Sequence, residues 1–199
     1  MIQVRVNDAN LNIPTQGLNT LSNLVEYVKS SIDPETIIVS LTKNNEPLLD
    51  SDWRNPISLQ SDMVLSFVTG SKLLFVDERL VLGEEILESF ISKIEACAQS
   101  FKQLRVHSAN KEFGLFIEDL SAFVNWLNSI FLMDKNRFES EIASYKELVS
   151  DLEKVCGAVQ NQQMTSSWWA LGDALTNKML PVVIAFKTLV TRARCKGQS

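Results

Sequence analysis

The sequence is poor in histidine, with one in 199 residues, and this scarcity limits the chemistry available to it. Di-iron sites in helical bundles use a Glu-x-x-His motif on each of two helices, which one histidine cannot supply. Acyl transfer needs a nucleophile, a base and an orienting group brought together, and nothing around His107 suggests such a group. His107 lies near the predicted end of a helix, where an imidazole interacts favourably with the helix dipole. We therefore predict no catalytic residue and a protein that is not an enzyme.

Cysteine and glycine patterns typical of cofactor sites are missing as well. The three cysteines, Cys97, Cys156 and Cys195, lie far apart and form no CxxC pair, which disfavours a zinc site or a redox motif. The segment FVTGSK contains Gly-Ser-Lys, but Leu65 stands where a phosphate-binding loop requires its first glycine. We expect three buried thiols, no metal and no cofactor.

Positive charge and long apolar runs are limited too. The chain carries 19 basic and 24 acidic side chains, a net charge of -5, whereas affinity for nucleic acid comes mainly from clustered lysine and arginine. No run approaches the ~18 uninterrupted apolar residues of a membrane helix, and the first residues do not read as a signal peptide. We expect a cytoplasmic protein with a protein partner and with neither nucleic acid nor membrane as a partner.

The first 70 residues carry strand signals. Ile2, Val4 and Val6 alternate with polar residues, and NDAN follows as a turn, which predicts a hairpin. NTLSNLVEYVKSSIDP then places apolar residues at helical spacing. TIIVSLTKNNEPL and MVLSFV are two further strands, separated by an irregular stretch. The predicted order is strand, strand, helix, strand, loop, strand.

This order, with the hairpin MIQVRVNDANLNIP, the segment TIIVSLTKNNEPLLDSDW and the closing strand LQSDMVLSFVTG, resembles the β-grasp fold of ubiquitin-like proteins and sulfur carriers. The resemblance implies a β-grasp module over residues 1–72, about a third of the chain. Carriers of that family end in a diglycine whose free carboxylate is adenylated. Here the matching place reads Thr69-Gly70-Ser71-Lys72 and the chain continues, so carrier function does not transfer, and we predict that Gly70 acts as a hinge where the chain leaves the sheet.

The remaining residues change to a helical rhythm. Apolar side chains recur every three or four positions in four stripes: Ile86, Phe90, Ile94, Cys97, Phe101 and Leu104; Phe113, Phe116, Leu120, Val124, Leu127 and Phe131; Phe138, Ile142, Tyr145, Leu148, Leu152, Val155 and Val159; Trp168, Leu171, Leu175, Met179, Val182, Phe186 and Leu189. Short polar breaks separate them, which predicts an antiparallel four-helix bundle over residues 84–199, with a kink at Pro181. Residues 73–83 are predicted to be a connecting strand pair or hairpin packed on one of the modules. The fold class is therefore α+β.

Aromatic residues supply the candidate contact sites. Trp168 and Trp169 are neighbours and must face about 100° apart on a helix, so we expect one of them to meet a second surface. The Trp168/Trp169 end, with Trp126 and Phe131, is a candidate apolar contact patch, since aromatic anchors are favoured at binding hot spots; an ordinary core helix with an aromatic start is the other interpretation. Trp53 either plugs the open end of the sheet or contacts a partner.

These patterns favour a non-enzymatic protein-protein interaction module, acting as an adaptor, chaperone-like or assembly factor. The bundle offers a helix face for homodimer formation or for a partner helix. The alternative is a small-molecule binding protein or an enzyme that uses a pocket between the β-grasp module and the bundle.

Overall fold

The computed structural model of the chain describes residues 2–11, 18–53, 57–60 and 62–196. It shows a mixed α+β protein in which a five-stranded sheet comes first and long helices follow. The chain divides into two compact units, Met1–Phe75 and Val76–Ser199, which we call the sheet unit and the helical unit.

The sheet unit contains the predicted strands and helix in the predicted order, and it adds a two-residue strand and a four-residue helix between the last two predicted strands. Its strands are arranged in the order β2-β1-β5-β3-β4, with β1 and β5 parallel and the other pairs antiparallel. The elements are β1 (Gln3–Val6), β2 (Ala9–Asn10), α1 (Leu21–Ser31), β3 (Thr36–Lys43), β4 (Glu46–Pro47), α2 (Asp50–Trp53) and β5 (Val64–Ser71).

Two hairpin turns and one helix cap explain why these segments fold as they do. Asn7 and Asp8 between β1 and β2, and Asn44 and Asn45 between β3 and β4, all have positive φ, as two-residue hairpin turns require. Thr20 caps α1 by accepting a hydrogen bond from the Asn23 backbone N–H at 3.3 Å. One face of α1 then packs on the sheet in a core of Val4, Leu21, Leu24, Val25, Val28, Leu41, Leu65 and Phe67.

Gly70 is not a hinge, so that prediction is wrong. It is paired with Ile37 inside β5, and the strand continues to Ser71 before a helix begins at Lys72. A Cβ at Gly70 would lie 3.1 Å from Cγ2 of Val39, a contact closer than almost all real Cβ contacts. The missing side chain at Gly70 therefore allows β5 to approach the bulged part of β3 closely; it does not make the chain flexible here.

The helical unit is built from long antiparallel helices. They are α3 (Lys72–Lys102, which begins in the sheet unit), α4 (Val106–Met133), α5 (Glu139–Met164) and a last segment made of α6 (Trp168–Ala174), a π-helical turn (Leu175–Met179) and α7 (Leu180–Cys195). Aromatic contacts run in opposite directions along α3 and α4, since Phe101 meets Phe113 at 6.2 Å between ring centroids and Phe90 meets Phe123 at 5.6 Å. Contacts from Glu141 to Lys196 and from Tyr145 to Phe186 show that α5 and α7 are antiparallel as well.

Residues 73–83 form part of α3, so the predicted strand pair or hairpin there is wrong. Val76, Leu80, Gly83 and Leu87 are buried at intervals of four, three and four residues, which is the helical period. The apolar run from Leu73 to Val76 obscures that period in the sequence, although Leu73 and Leu74 are exposed.

Pro181 lies in the first turn of α7, directly after the π-helical turn. Proline has no backbone N–H and cannot complete an ordinary helical ladder, and a π turn is one of the recognised ways in which a helix accommodates such an irregularity. The last segment therefore continues past the proline, and its two parts both reach the core of the helical unit.

Two helices, Val106–Met133 and Trp168–Cys195, are long and apolar enough by length and composition to cross a membrane. Core helices of soluble proteins pass the same test, so the presence of two such helices is weak evidence for a membrane-spanning role. Only 33% and 39% of the respective apolar windows are buried, which means that both helices carry apolar surface outside the core. The cytoplasmic location stays a prediction.

Candidate functional site

An open groove of about 450 Å³ lies between α3 and α4 on the surface of the helical unit; we call it the α3/α4 groove. Its walls are mainly apolar: Leu82, Ile86 and Phe90 from α3, and Ala122, Phe123 and Trp126 from α4. Ser89, Lys93 and Asp119 complete the lining. On α3 the lining runs from Leu82 to Lys93, eleven residue steps along the helix, which corresponds to about 17 Å.

Packed aromatic rings form the inner side of the groove. Phe90 and Phe123 are almost fully buried, and their rings meet edge to face at 5.6 Å with an interplanar angle of 85°. The Trp126 ring lies 5.5 Å from that of Phe123. Edge-to-face aromatic pairs add to the stability of a core beyond the area that they bury. The groove therefore has a preformed apolar base.

One charged pair lies in the groove. Lys93 Nζ donates to Asp119 Oδ2 at 2.9 Å, and about half of each side chain is exposed. The Lys93 ammonium also lies 5.7 Å from the centroid of the Phe90 ring. An exposed pair of this kind contributes at most about 1 kcal/mol to stability, so the pair can be rearranged by a binding partner at low cost.

A second polar group joins the end of the last helix to α5. Glu141 has no accessible surface; its Oε2 accepts hydrogen bonds from Lys196 Nζ at 2.9 Å and Ser140 Oγ at 3.0 Å, and its Oε1 lies 3.4 Å from Arg192 Nε. Burial on its own raises the pKa of the Glu141 carboxyl, but the hydrogen bonds and the positive charge of Lys196 outweigh it and lower the pKa. This carboxylate is ionised at neutral pH and holds α5 and α7 together.

Metal-binding and nucleophilic groups are sparse. Within the described residues, no group of three or more histidine, cysteine, aspartate or glutamate side chains could hold a metal ion. Cys97 is buried, which raises the pKa of its thiol, and Cys156 is half-buried with its pKa raised in the same way. Cys195 is exposed, so the expectation of three buried thiols is wrong for it. The absence of catalytic activity stays a prediction.

The neighbouring tryptophans of α6 have different surroundings. Trp168 is half-buried and stacks on Phe101, with ring centroids 6.1 Å apart and an interplanar angle of 7°. Trp169 is 63% exposed, and Lys102 Nζ lies 5.9 Å from its ring centroid. Trp168 packs against the buried ring of Phe101, and Trp169 is the more exposed member of the pair.

The structure does not bring the residues of the predicted contact patch together on one surface, and contact of the exposed ones with a partner stays a prediction. Phe131 is fully buried between Phe138 and Tyr145, at 5.3 and 6.1 Å between centroids, so it cannot touch a partner. Trp126 lies next to Gly83, and Trp168 lies against Phe101.

Gly83 and Phe101 are 18 residues apart on α3, which corresponds to about 27 Å, so the two tryptophans belong to different ends of the unit. Trp53 is half-buried against the core of the sheet unit and donates from Nε1 to the Leu48 carbonyl at 3.4 Å. Of the five predicted contact residues, the structure therefore leaves Trp126 in a groove and Trp169 on an exposed surface.

The groove itself was missed because only Ile86 and Phe90 of its lining belong to the predicted apolar stripes, and its other residues lie outside them. The sequence of α4 does contain a pattern that could have indicated the groove. Leu115, Ala122, Trp126 and Met133 follow one another at intervals of seven, four and seven residues, a second apolar stripe beside the core stripe.

Comparison with known proteins finds no match: no family model, no curated protein and no solved structure matches the chain.

Proposed function

We propose that this chain is a non-enzymatic protein-protein interaction module that binds an α-helix of its partner in the α3/α4 groove. In this proposal the sheet unit is a β-grasp module and the helical unit is an antiparallel four-helix bundle. Adaptor, chaperone-like and assembly roles all use such a site.

The strand arrangement supports the β-grasp assignment. The first and last strands, β1 and β5, lie parallel and adjacent in the sheet, β2 flanks β1 and β3 flanks β5, and α1, which follows β2 and precedes β3 in the chain, packs on one face. The antiparallel contacts between successive helices support the bundle, since short connections in such bundles join antiparallel neighbours.

The apolar stripe on α4 is the observation that carries the function. Leu115 is 56% exposed and Met133 is 39% exposed, and both extend the line of Ala122 and Trp126 along the helix. Exposed apolar patches beside a preformed groove mark interaction sites in soluble proteins. Binding of a partner would bury this stripe.

The shape of the groove favours a helix as its occupant. Two antiparallel helices form its walls, and its length of about 17 Å matches about three turns of a third helix. Helix-in-groove recognition places anchors at positions i, i+4 and i+7 of the bound helix. The edges of Phe90, Phe123 and Trp126 would contact such anchors.

Site-specific photo-cross-linking in the cells that make this protein tests the proposal. A photoreactive phenylalanine is placed at Ala122 or Ser89, which line the groove, and at Ala143, which is exposed on α5. We expect discrete protein adducts from the two groove positions and none of the same adducts from Ala143.

The substitution Ala122→Trp, which fills the groove, should abolish the adduct formed from Ser89, and Ala143→Trp should leave it unchanged. Equal adducts from all three positions, or an adduct from Ser89 that survives Ala122→Trp, would contradict the proposal.

A further inference from the structure

We infer that the helix bound in the α3/α4 groove is a basic amphipathic helix. The inference rests on the proposed function, because it assumes that the groove is the binding site, and it adds the charge of the partner.

Three carboxylates lie beside the groove. Glu78 comes four residues before Leu82, Glu85 comes four residues before Ser89, and both Leu82 and Ser89 line the groove. Residues four apart on a helix are neighbours on its surface, so Glu78 and Glu85 follow the α3 wall on its solvent side.

On α4, Glu118 comes four residues before Ala122 and follows the opposite wall in the same way. All three carboxylates are exposed, and none of them forms an ion pair with another residue in the described part of the chain.

Four other charges near the groove cancel in two pairs. Lys93 pairs with Asp119 inside it. Lys111 and Glu112 are adjacent and exposed one turn before Leu115 on α4, and they contribute one charge of each sign. Arg79, three residues before Leu82 on α3, adds one positive charge, so the surroundings of the groove carry a net charge of about -2, which a partner with lysine or arginine beside its apolar anchors would complement.

The same negative charges disfavour two other possible occupants of the groove, a second copy of this chain and an anionic membrane. A second copy placed by a two-fold axis would bring three further carboxylates against the first three, and like charges at an interface are costly. An anionic membrane surface would be repelled in the same way. A basic amphipathic helix is the occupant that complements both the apolar base of the groove and the carboxylates beside it.

Three synthetic helical peptides test the inference against the full-length protein. All have 14 residues with leucine at positions spaced i, i+4, i+7 and i+11, and the flanking positions are lysine, glutamine or glutamate. Binding is measured by fluorescence anisotropy at two salt concentrations. We expect the lysine peptide to bind most tightly, the glutamate peptide least, and added salt to weaken only the lysine peptide.

A charge-neutralised variant and a matched control identify the carboxylates. The variant Glu78→Gln, Glu85→Gln, Glu118→Gln should weaken binding of the lysine peptide about tenfold at low salt, since the loss of each of three exposed ion pairs changes the affinity about twofold. The control Glu95→Gln, Glu147→Gln, Glu153→Gln removes the same charge from exposed positions away from the groove and should leave binding unchanged. Circular dichroism checks that both variants fold.

The outcomes separate this inference from the proposed function. If all three peptides bind equally and Ala122→Trp abolishes their binding, the groove is a helix site and the charge inference is wrong. If no peptide binds, or binding survives Ala122→Trp, the groove assignment fails as well. Dimerisation that Ala122→Trp abolishes in sedimentation, or flotation with phosphatidylglycerol vesicles that it abolishes, would replace the basic helix with a second copy or a membrane and overturn the inference.

Discussion

Gly172 provides the sharpest test of the packing in the helical unit. It is buried in α6 against α3, and a Cβ at this position would lie 2.6 Å from the carbonyl oxygen of Ala98 and 3.0 Å from Cγ of Lys102. The lysine side chain can move aside. The Ala98 carbonyl belongs to the backbone of α3, so the two helices would have to separate.

The expected magnitude for Gly172→Ala follows from two opposing effects. Replacing glycine by alanine inside a helix is favourable by about 1 kcal/mol. Overpacking of a tight interface costs about 1–3 kcal/mol, and a contact with backbone atoms belongs at the upper end of that range. We expect the free energy of unfolding of the helical unit to fall by about 2 kcal/mol.

Gly114→Ala and Gly157→Ala are matched controls. Both glycines are exposed inside helices, and a Cβ at either one would have no atom within 4 Å. Each substitution should therefore stabilise the protein by about 0.5–1 kcal/mol.

Urea unfolding of the full-length variants, followed by circular dichroism at a helical wavelength, reports mainly on the helical unit, and each transition is fitted separately because the chain has two units. A Gly172→Ala variant as stable as the two controls would refute the close approach of α6 to α3.

Two further predictions concern single side chains. Phe131→Ala should destabilise the helical unit by about 3–5 kcal/mol because a large buried ring is lost, whereas Trp169→Ala should change its stability by no more than about 0.5 kcal/mol; thermal unfolding of both variants checks this, and similar effects would mean that Phe131 is not in the core. Glu141→Gln should be less stable than the wild type at pH 7. Since the Glu141 pKa is lowered in the fold, its contribution is present above the ordinary glutamate pKa and is lost as the pH falls through the folded-state pKa. The difference in urea midpoint between Glu141→Gln and the wild type should therefore shrink below about pH 4, and a difference independent of pH would contradict the ion pairs.

Periodicity alone predicted most of the secondary structure. The alternation of Ile2, Val4 and Val6 lies on β1 or immediately before it, and the four helical stripes lie on α3, α4, α5 and the last helical segment, except for Leu104, which follows α3, and Phe138, which precedes α5. Local signals fix these elements because burial of one face imposes a period of two on a strand and of 3.6 on a helix. The prediction failed over residues 73–83, where consecutive apolar residues satisfied neither period clearly.

The surface was harder to predict than the fold. Residue type does not say how deeply a side chain is buried, so the aromatic residues Phe131 and Trp126 were both predicted to contact a partner, although Phe131 is enclosed by Phe138 and Tyr145 and Trp126 lies at a groove. That difference depends on which helices become neighbours and how closely they approach, and both are set by contacts between distant residues.

The apolar residues of α4 form two stripes, and each stripe needs its own explanation. The buried stripe from Phe113 to Phe131 accounts for the core face, and a second stripe remains at Leu115, Ala122, Trp126 and Met133. A helix that crossed a membrane would place Asp119, at the middle of α4, near the bilayer centre, where an aspartate costs about 3 kcal/mol, with Glu118 beside it. A partner helix in the groove meets no such penalty, because Asp119 keeps its pair with Lys93 at the exposed edge. A partner helix in the proposed site would therefore cover the second stripe without the cost that a lipid environment imposes on Asp119.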